Sequence, residues 1–394
     1  MEYFLIFVLL LIPVVKYDWM AKSGGENVWY YFSLMLLILF AGLRYRVGGD
    51  TMTYMAMFEE IPSLSEYKNF DFFEAAYQPL WYLLNMLSKS INESFTCFQL
   101  IHATILNVSF FHFFRKYCPN YYFSAILLYF LTYFCYFNME VLRESLCISL
   151  LLWAVPSLLQ KKWLTYYSFC IVGVFVHYSS LIMLVIPLLF FLLKRPNTRL
   201  QLIILVTVFV VVSLVNVVDI MLQLFPISQQ FVELLNRYIE TQRTIGGIIS
   251  QLLYYIPVFG LVYLHERNEK EIKFPLLPII LGFVVINTMA MNLGAFERLI
   301  NYFKPFVLIY LVHIAYSIIS SKKIIEYQKT YCVLFVVLVV FCFNSVRYYT
   351  KDMSDYYPNS KFFNIYTPYH SVFNPVIDER RERMRENLLF DVYL

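Results

Sequence analysis

The sequence predicts an all-α protein, a polytopic bundle of transmembrane helices. Its 394 residues are 60% hydrophobic and 20% aromatic, and only 15% of them carry charge. A soluble domain has roughly 25% charged and 45–50% apolar residues, so the composition excludes a soluble globular protein. Because one helical span needs roughly 20 apolar residues, the chain has room for about 11–13 spans or part-spans, with outer-face loops and re-entrant segments.

Helices are predicted where apolar residues run on without a charged interruption. These runs are, in order, Tyr3–Val15, Trp29–Leu43, Pro79–Leu87, Phe95–Phe114, Tyr121–Phe137, Leu142–Leu159, Tyr166–Leu193, Leu200–Leu222, Gly247–Leu264, Phe274–Met291, Leu299–Ile319 and Tyr331–Phe343. No linker of biased composition divides them. We therefore expect a single transmembrane domain over residues 1–346 and a polar C-terminal tail over residues 347–394.

Two of these runs differ in length from an ordinary span. Pro79–Leu87 is too short to cross a bilayer, which indicates a re-entrant or interfacial helix. Tyr166–Leu193 is long for one crossing and too short for two. Since basic residues flank both of its ends, we interpret it as a bent hairpin with His177–Ser180 at the apex.

The basic residues between spans predict the orientation, because lysine and arginine concentrate in cytoplasmic loops. We place the pairs Lys16 with Lys22 and Arg115 with Lys116 in the cytoplasm. Four polar clusters then fall on the outer face: Arg44–Tyr54, Glu140–Glu144, His177–Ser180 and Glu297–Tyr302. Arginines in outer-face clusters run against the charge bias, so a functional reason for them is expected.

The first cluster contains Arg44, Arg46 and Asp50 beside the pair Gly48 and Gly49. Guanidinium groups bind phosphate in bidentate fashion, and glycine lets the backbone approach a ligand closely. This combination predicts a grip for pyrophosphate together with a carboxylate that orients the substrate or accepts a proton. The alternative is a pair of arginines that snorkel to the interface beside a counter-ion, and the adjacent glycines favour the functional interpretation.

Arg143 and Arg298 each stand at the start of an outer-facing apolar helix. A helix N-terminus itself attracts anions, so the repetition of this arrangement indicates anion binding. For Arg143 an alternative remains open. Glu140 and Glu144 lie close enough along the chain to neutralise it within the protein.

His177 is the first candidate for a general base, because histidine exchanges a proton near neutral pH. It sits between apolar residues and the hydroxyls of Tyr178, Ser179 and Ser180. The alternative is a hydrogen-bonded core histidine, and Asp50 is the second candidate for the base. Tyr54 could stack on a sugar ring or belong to an interfacial aromatic belt.

Several classes of site have no signature in the sequence. It contains no Walker loop, no HExxH helix and no G-x-S-x-G elbow. The seven cysteines form no CxxC pair. We therefore expect no metal, no cofactor and no nucleic-acid partner.

At these residues the chain resembles the EpsG-type exopolysaccharide polymerases of the broader Wzy-like group. The resemblance is carried by Gly42-Leu43-Arg44-Tyr45-x-Val47-Gly48-x-Asp50 with Tyr54 and Phe58, by Arg143, by Phe175-Val176-His177-Tyr178-Ser179-Ser180-Leu181-Ile182, by Arg298-x-x-x-Tyr302-Phe303, and by Pro368-Tyr369-His370-Ser371-Val372-Phe373. One departure is Glu144, where a neutral residue such as glutamine is expected. The resemblance extends over nearly the whole chain and adds Tyr302 to the expected substrate-binding residues.

The resemblance implies a metal-independent glycosyltransferase in the cytoplasmic membrane of a bacterium, with its site on the outer side. Its expected substrate is a polyprenyl-pyrophosphate-linked oligosaccharide held beside membrane lipid. Such an enzyme joins repeat units into an exopolysaccharide, capsule or O-antigen, with a flippase and a chain-length regulator as expected partners. A flippase for the same lipid-linked oligosaccharides is the alternative function.

Overall fold

The computed structural model describes residues 1–72, 75–193, 275–290, 295–320 and 346–393, with the single residues 207 and 328. Within these ranges the regular structure is helical, and the backbone forms isolated β-bridges but no strand. The all-α prediction is therefore confirmed for this part of the chain. The runs predicted at Gly247–Leu264 and Tyr331–Phe343, and nearly all of Leu200–Leu222, lie outside the described residues.

The helices are numbered here in chain order. They are α1 (Glu2–Pro13), α2 (Glu26–Gly42), α3 (Thr51–Glu60), α4 (Pro79–Ile91), α5 (Phe95–Tyr117), α6 (Tyr122–Thr132), α7 (Phe134–Met139), α8 (Leu142–Leu159), α9 (Trp163–Val174), α10 (Ile182–Leu193), α11 (Leu277–Ala290), α12 (Ala295–Ile300), α13 (Lys304–Ser320) and α14 (Glu379–Tyr393). A π-helical turn, Val14–Trp19, continues α1, and short 3₁₀ turns cover Leu64–Asn69, Tyr178–Leu181 and Phe362–Ile365.

The chain forms two compact units. The first comprises Met1–Pro156, Leu164–Tyr178 and Val340–Leu394, and the second comprises Ser157–Trp163 and Ser179–Val339. The segment expected to be a polar tail thus belongs to the first unit. In the second unit α10 packs on α11, where Leu189 lies 3.2 Å from the position that a Cβ would take on Gly282.

Two described helices, α5 and α8, are long and apolar enough to cross a membrane. Helix α8 covers Leu142–Leu159, the same residues as the predicted run. The run Tyr121–Phe137 is instead divided into α6 and α7 at Tyr133. The remaining spans of the predicted bundle stay a prediction.

The two unusual runs form a short helix and a broken helix, and their re-entrant and hairpin arrangements stay predictions. Helix α4 has 13 residues, a length of about 20 Å at 1.5 Å per residue, which is shorter than a bilayer core. The ammonium group of Lys89 on α4 donates to the carbonyls of Phe58, Glu59 and Ile61, at 3.1, 2.9 and 2.6 Å, and so caps the C-terminal end of α3. In Tyr166–Leu193 the helix breaks after Val174, at the predicted apex.

Helices α2 and α5 are antiparallel partners in the first unit and define its two ends. At one end the guanidinium group of Arg115 donates to Asn27 at 2.6 Å and lies 4.8 Å from the ring centre of Tyr30. At the other end Gly42 lies against Leu100, so closely that a Cβ on Gly42 would meet the leucine side chain at 2.5 Å. The N-terminus of α2 therefore lies beside the C-terminus of α5, and the C-terminus of α2 lies beside the N-terminus of α5.

The end marked by Arg115 also holds the start of α6 and the end of the π-helical turn. Arg115 lies 5.8 Å from the ring centre of Tyr122, the first residue of α6. Asp18 accepts hydrogen bonds from the backbone N–H and the hydroxyl of Ser124, each at 2.6 Å. Lys16, two residues before Asp18, is therefore at the same end as Arg115. Residues predicted to be cytoplasmic thus share one end of the first unit.

We expect the two ends to be accessible from opposite sides of a membrane. Asp50 and Lys116 are both exposed and lie at opposite ends of the α2–α5 pair. In a background whose seven cysteines are replaced by alanine, an impermeant maleimide added to intact cells should label Asp50→Cys but not Lys116→Cys. Permeabilised cells should show both, and labelling of both in intact cells would contradict the orientation.

Candidate functional site

The turn after α2 is the arginine–glycine loop, Leu43–Asp50. Arg44, predicted to bind pyrophosphate at the outer face, is only 1% exposed. Its guanidinium group donates to the carbonyl oxygens of Val47, at 3.2 Å, and Ala41, and lies 3.5 Å from the hydroxyl of Thr51. Burial lowers the pKa of Arg44 to about 10, so it stays protonated near neutral pH. Arg44 therefore holds the loop together from inside, and a head group cannot reach it unless the loop opens.

A return segment, Ile365–Val372, pairs with the arginine–glycine loop along its length. The N–H of Tyr45 donates to the carbonyl of His370 at 2.8 Å, and the N–H of Val372 donates to Leu43 at 2.9 Å. These bonds frame an antiparallel bridge between Arg44 and Ser371. The expected tail thus supplies backbone partners that the loop could not find within itself.

Helix α14 follows the return segment and contacts the same loop. The guanidinium group of Arg46 forms a bidentate ion pair with Glu382, with both nitrogen–oxygen distances at 2.6 Å. Arg381 is 2% exposed and donates to the carbonyls of Arg46, at 2.9 Å, and Pro368. Arg46, predicted to bind pyrophosphate, therefore already has an internal counter-ion.

The two glycines let the loop approach the turn between α7 and α8. Gly48 has a φ of 106°, and a Cβ there would lie 2.4 Å from the carbonyl oxygen of Met139. A Cβ on Gly49 would lie 2.6 Å from a carboxylate oxygen of Glu140, whose other oxygen accepts from the N–H of Gly49 at 2.6 Å. The sequence predicted a close approach to a ligand, and the backbone instead approaches another part of the protein.

Glu140 and Asp50 flank this contact with different exposures. Glu140 is buried, and burial, followed by the negative charge of Asp50, raises its pKa to about 8. Asp50 is exposed and begins α3, where its carbonyl accepts from the N–H of Tyr54 at 3.0 Å. Of these two acidic residues, only Asp50 is exposed to solvent.

Arg143 is the candidate arginine with the environment of a binding residue. Its side chain is half-buried at the start of α8, with its guanidinium carbon 3.9 Å from the ring centre of Tyr77. Its Nε donates to the hydroxyl of Tyr54 at 3.4 Å. Burial raises the pKa of Tyr54 to about 12, so this hydroxyl stays neutral. Among the described residues no carboxylate forms an ion pair with Arg143, and the internal neutralisation by Glu140 or Glu144 does not occur there.

The backbone of His177 contacts α8 one helical turn after Arg143. Cys147, four residues after Arg143, occupies the same face of α8. Its thiol lies 3.4 Å from the carbonyl of Gly173 and 3.9 Å from that of His177. The N–H of Leu80 at the start of α4 donates to Phe175 at 3.0 Å, so the segment after Tyr77 also reaches this point. The backbone of His177, a half-exposed residue, therefore lies near the first turns of α8.

Arg298 and Tyr302 belong to the second unit. Arg298 is exposed at the end of α12. Tyr302 is fully buried, and its hydroxyl lies 2.8 Å from that of Ser179. A buried hydroxyl that already has a partner suits a structural role better than stacking on a sugar.

The end of the first unit opposite to Arg115 thus holds Asp50, Tyr54 and Arg143, and the backbone of His177 lies one helical turn further along α8. Sequence analysis missed Tyr77, which lies in a segment without periodicity and shows no signal. It also assigned no role to Glu382, although the dense charge of α14 was visible. In the part of the chain that the structure describes, no three His, Cys, Asp or Glu side chains cluster as metal ligands.

Replacing Gly48 by alanine should destabilise the protein more than replacing Gly24. Both residues have left-handed φ values, 106° and 92°, so both variants incur strain of about 1–2 kcal/mol. Only Gly48→Ala also overlaps another atom, since Gly24 has open space around its Cβ position. Melting temperatures of the purified variants in detergent measure the difference. Equal losses would show that the contact with Met139 is unimportant.

Glu140 should make stability depend on pH. Because its pKa is raised from 4.5 to about 8, its contribution is complete below about pH 4.5 and is lost as the pH rises through 8. The melting temperature of the wild type relative to Glu140→Gln should therefore fall between about pH 5 and pH 9. The exposed Glu59→Gln variant is the control. A pH-independent difference would contradict the burial of a neutral carboxyl group.

The chain was compared with protein families, curated proteins and solved structures. No curated protein and no solved structure matches it. A family model described as the EpsG family matches residues 27–363, which include Asp50, Tyr54, Arg143 and His177 but neither the return segment nor α14. Since the match covers most of the sequence, the chain belongs to the EpsG family.

Proposed function

We propose that the protein is a membrane polymerase that joins polyprenyl-pyrophosphate-linked oligosaccharide repeat units. The glycan on one lipid carrier is transferred to a sugar hydroxyl on the next unit, and the lipid pyrophosphate leaves. Membership in the EpsG family supports a role as an exopolysaccharide-related polymerase. The product is an exopolysaccharide, a capsule or an O-antigen.

The environment of Arg143 carries this proposal. Its charge is held against the faces of Tyr77 and Tyr54, at 3.9 and 6.0 Å from the ring centres, without a carboxylate partner in the described residues. Aromatic faces stabilise a cation only modestly, so much of its potential to bind an anion remains. The N-terminus of α8 adds a further preference for negative charge at this position.

Such a group suits the departure of a pyrophosphate. Negative charge grows on the bridging oxygen as the glycosidic bond breaks, and a fixed guanidinium group stabilises that charge in the transition state. Arg298, exposed in the second unit, is proposed as another pyrophosphate ligand. Tyr54 is 6% exposed, so it would act on the substrate through Arg143, which donates to its hydroxyl.

The acceptor hydroxyl needs a base to take its proton. His177 is our first choice because it is half-exposed and its backbone lies beside Cys147, one turn after Arg143 on α8, and imidazole titrates near neutral pH. Asp50 is the second choice, since its carboxylate is exposed at the start of α3. We place the reaction on the outer side of a bacterial cytoplasmic membrane, with a flippase and a chain-length regulator as partners.

Arg143→Ala and His177→Ala should each abolish polymer formation. Loss of the guanidinium group removes transition-state stabilisation, for which about 100-fold or more is expected. Arg143→Lys should recover only part of the activity, because an ammonium group lacks the planar fork. Arg383→Ala is the control, since Arg383 is exposed on α14 and pairs with Glu379. The measurement is elongation of lipid-linked oligosaccharide by purified protein in vesicles.

The same assay separates the polymerase from a flippase. Elongation of units supplied on one side of the vesicle supports the enzyme. Movement of lipid-linked oligosaccharide across the bilayer without elongation would refute it. Normal elongation by Arg143→Ala and His177→Ala at wild-type protein levels would refute the site.

A further inference from the structure

The C-terminal helix α14 carries arginines in different environments. Arg381 is buried and holds the carbonyls of Arg46 and Pro368, so it serves as the anchor of the helix. Arg383 is exposed and pairs with Glu379 one turn earlier. Arg385 follows Glu382 by three residues and Arg381 by four, which places all three on the side of α14 that faces the arginine–glycine loop.

Unlike Arg381 and Arg383, Arg385 has no partner for its side chain among the described residues. It is half-buried, and in the described ranges it forms no ion pair. Its Nε is buried and makes no hydrogen bond. Burial lowers the pKa of Arg385, and the charges of Glu382, Arg46 and Asp50 all act on it. A half-buried cation that makes no ion pair gains from a bound anion, even with carboxylates nearby.

Arg46 lies close to Arg385, but its guanidinium group is already paired with Glu382. Glu382 accepts both of its guanidinium donors at 2.6 Å. A diphosphate offers more oxygens and more negative charge than one carboxylate, so it can compete for the same planar fork. When Glu382 is displaced, Arg46 and Arg385 together offer two cations to the anion.

We propose that Arg385 is a further pyrophosphate-binding residue, contributed by the C-terminal helix beside Arg46, and that Glu382 is the internal counter-ion that the substrate displaces. The inference rests on the function proposed above and extends it. It assigns a substrate contact to a segment expected only to be a polar tail. It also explains why Arg46 has a carboxylate partner in the absence of substrate.

The test is binding of inorganic pyrophosphate to the purified full-length protein in detergent at low salt, measured by titration calorimetry. Arg385→Ala should weaken binding about tenfold, the equivalent of roughly 1.4 kcal/mol. Arg383→Ala, which removes the same charge from the same helix, should stay within about twofold of the wild type. Glu382→Gln should tighten binding, because it removes the competing carboxylate.

Arg385→Lys tests whether weaker binding by Arg385→Ala comes from a damaged fold, since lysine keeps the charge and most of the side-chain volume. It should bind between the wild type and Arg385→Ala, with an unchanged melting temperature. Equal affinities for Arg385→Ala and Arg383→Ala would overturn the inference, as would weaker binding by Glu382→Gln.

Arg143→Ala measured in parallel separates this inference from the proposed function. If Arg143→Ala loses binding and Arg385→Ala does not, the polymerase site stands and the contribution of α14 is refuted. If Arg385→Ala loses binding and Arg143→Ala does not, α14 forms an anion site and the assignment of Arg143 as the pyrophosphate ligand is refuted.

Discussion

The docking of Gly48 and Gly49 onto Met139 and Glu140 is the contact on which the site depends. It brings the end of α2 and the start of α3 against the turn before α8, and so sets Tyr54 within reach of Arg143. A side chain at Gly48 would occupy the position of the Met139 carbonyl. The contact between Arg143 and Tyr54 therefore depends on Gly48 and Gly49, which have no side chains.

The bounds of a helix can be predicted well from the sequence where the helix coincides with one uninterrupted apolar run. Helix α8 begins and ends where the apolar run does, because its residues are buried almost throughout. Helix α3 was not foreseen, since Thr51–Glu60 mixes polar and apolar residues in a short span. The division of Tyr121–Phe137 at Tyr133 was also hidden, because both halves are equally apolar.

The roles of the arginines were harder to predict from the sequence than the positions of the helices. In the sequence Arg44, Arg46 and Arg143 look alike, as cations next to apolar segments. In the structure Arg44 is satisfied by carbonyls of its own loop, Arg46 by a carboxylate 336 residues later, and Arg143 by tyrosine faces. Partners that come from distant parts of the chain cannot be inferred from local spacing. They decide whether a guanidinium group is scaffold or is open to a ligand.

The joining of the arginine–glycine loop to the return segment has a consequence for biosynthesis. Residues 43–50 are synthesised long before the groups that hold them, in His370, Arg381 and Glu382. Until then the loop lacks the partners that fix its conformation. The arginine–glycine loop can therefore reach its final conformation only after α14 has been synthesised, and a chain truncated before α14 would lack the contacts that fix it.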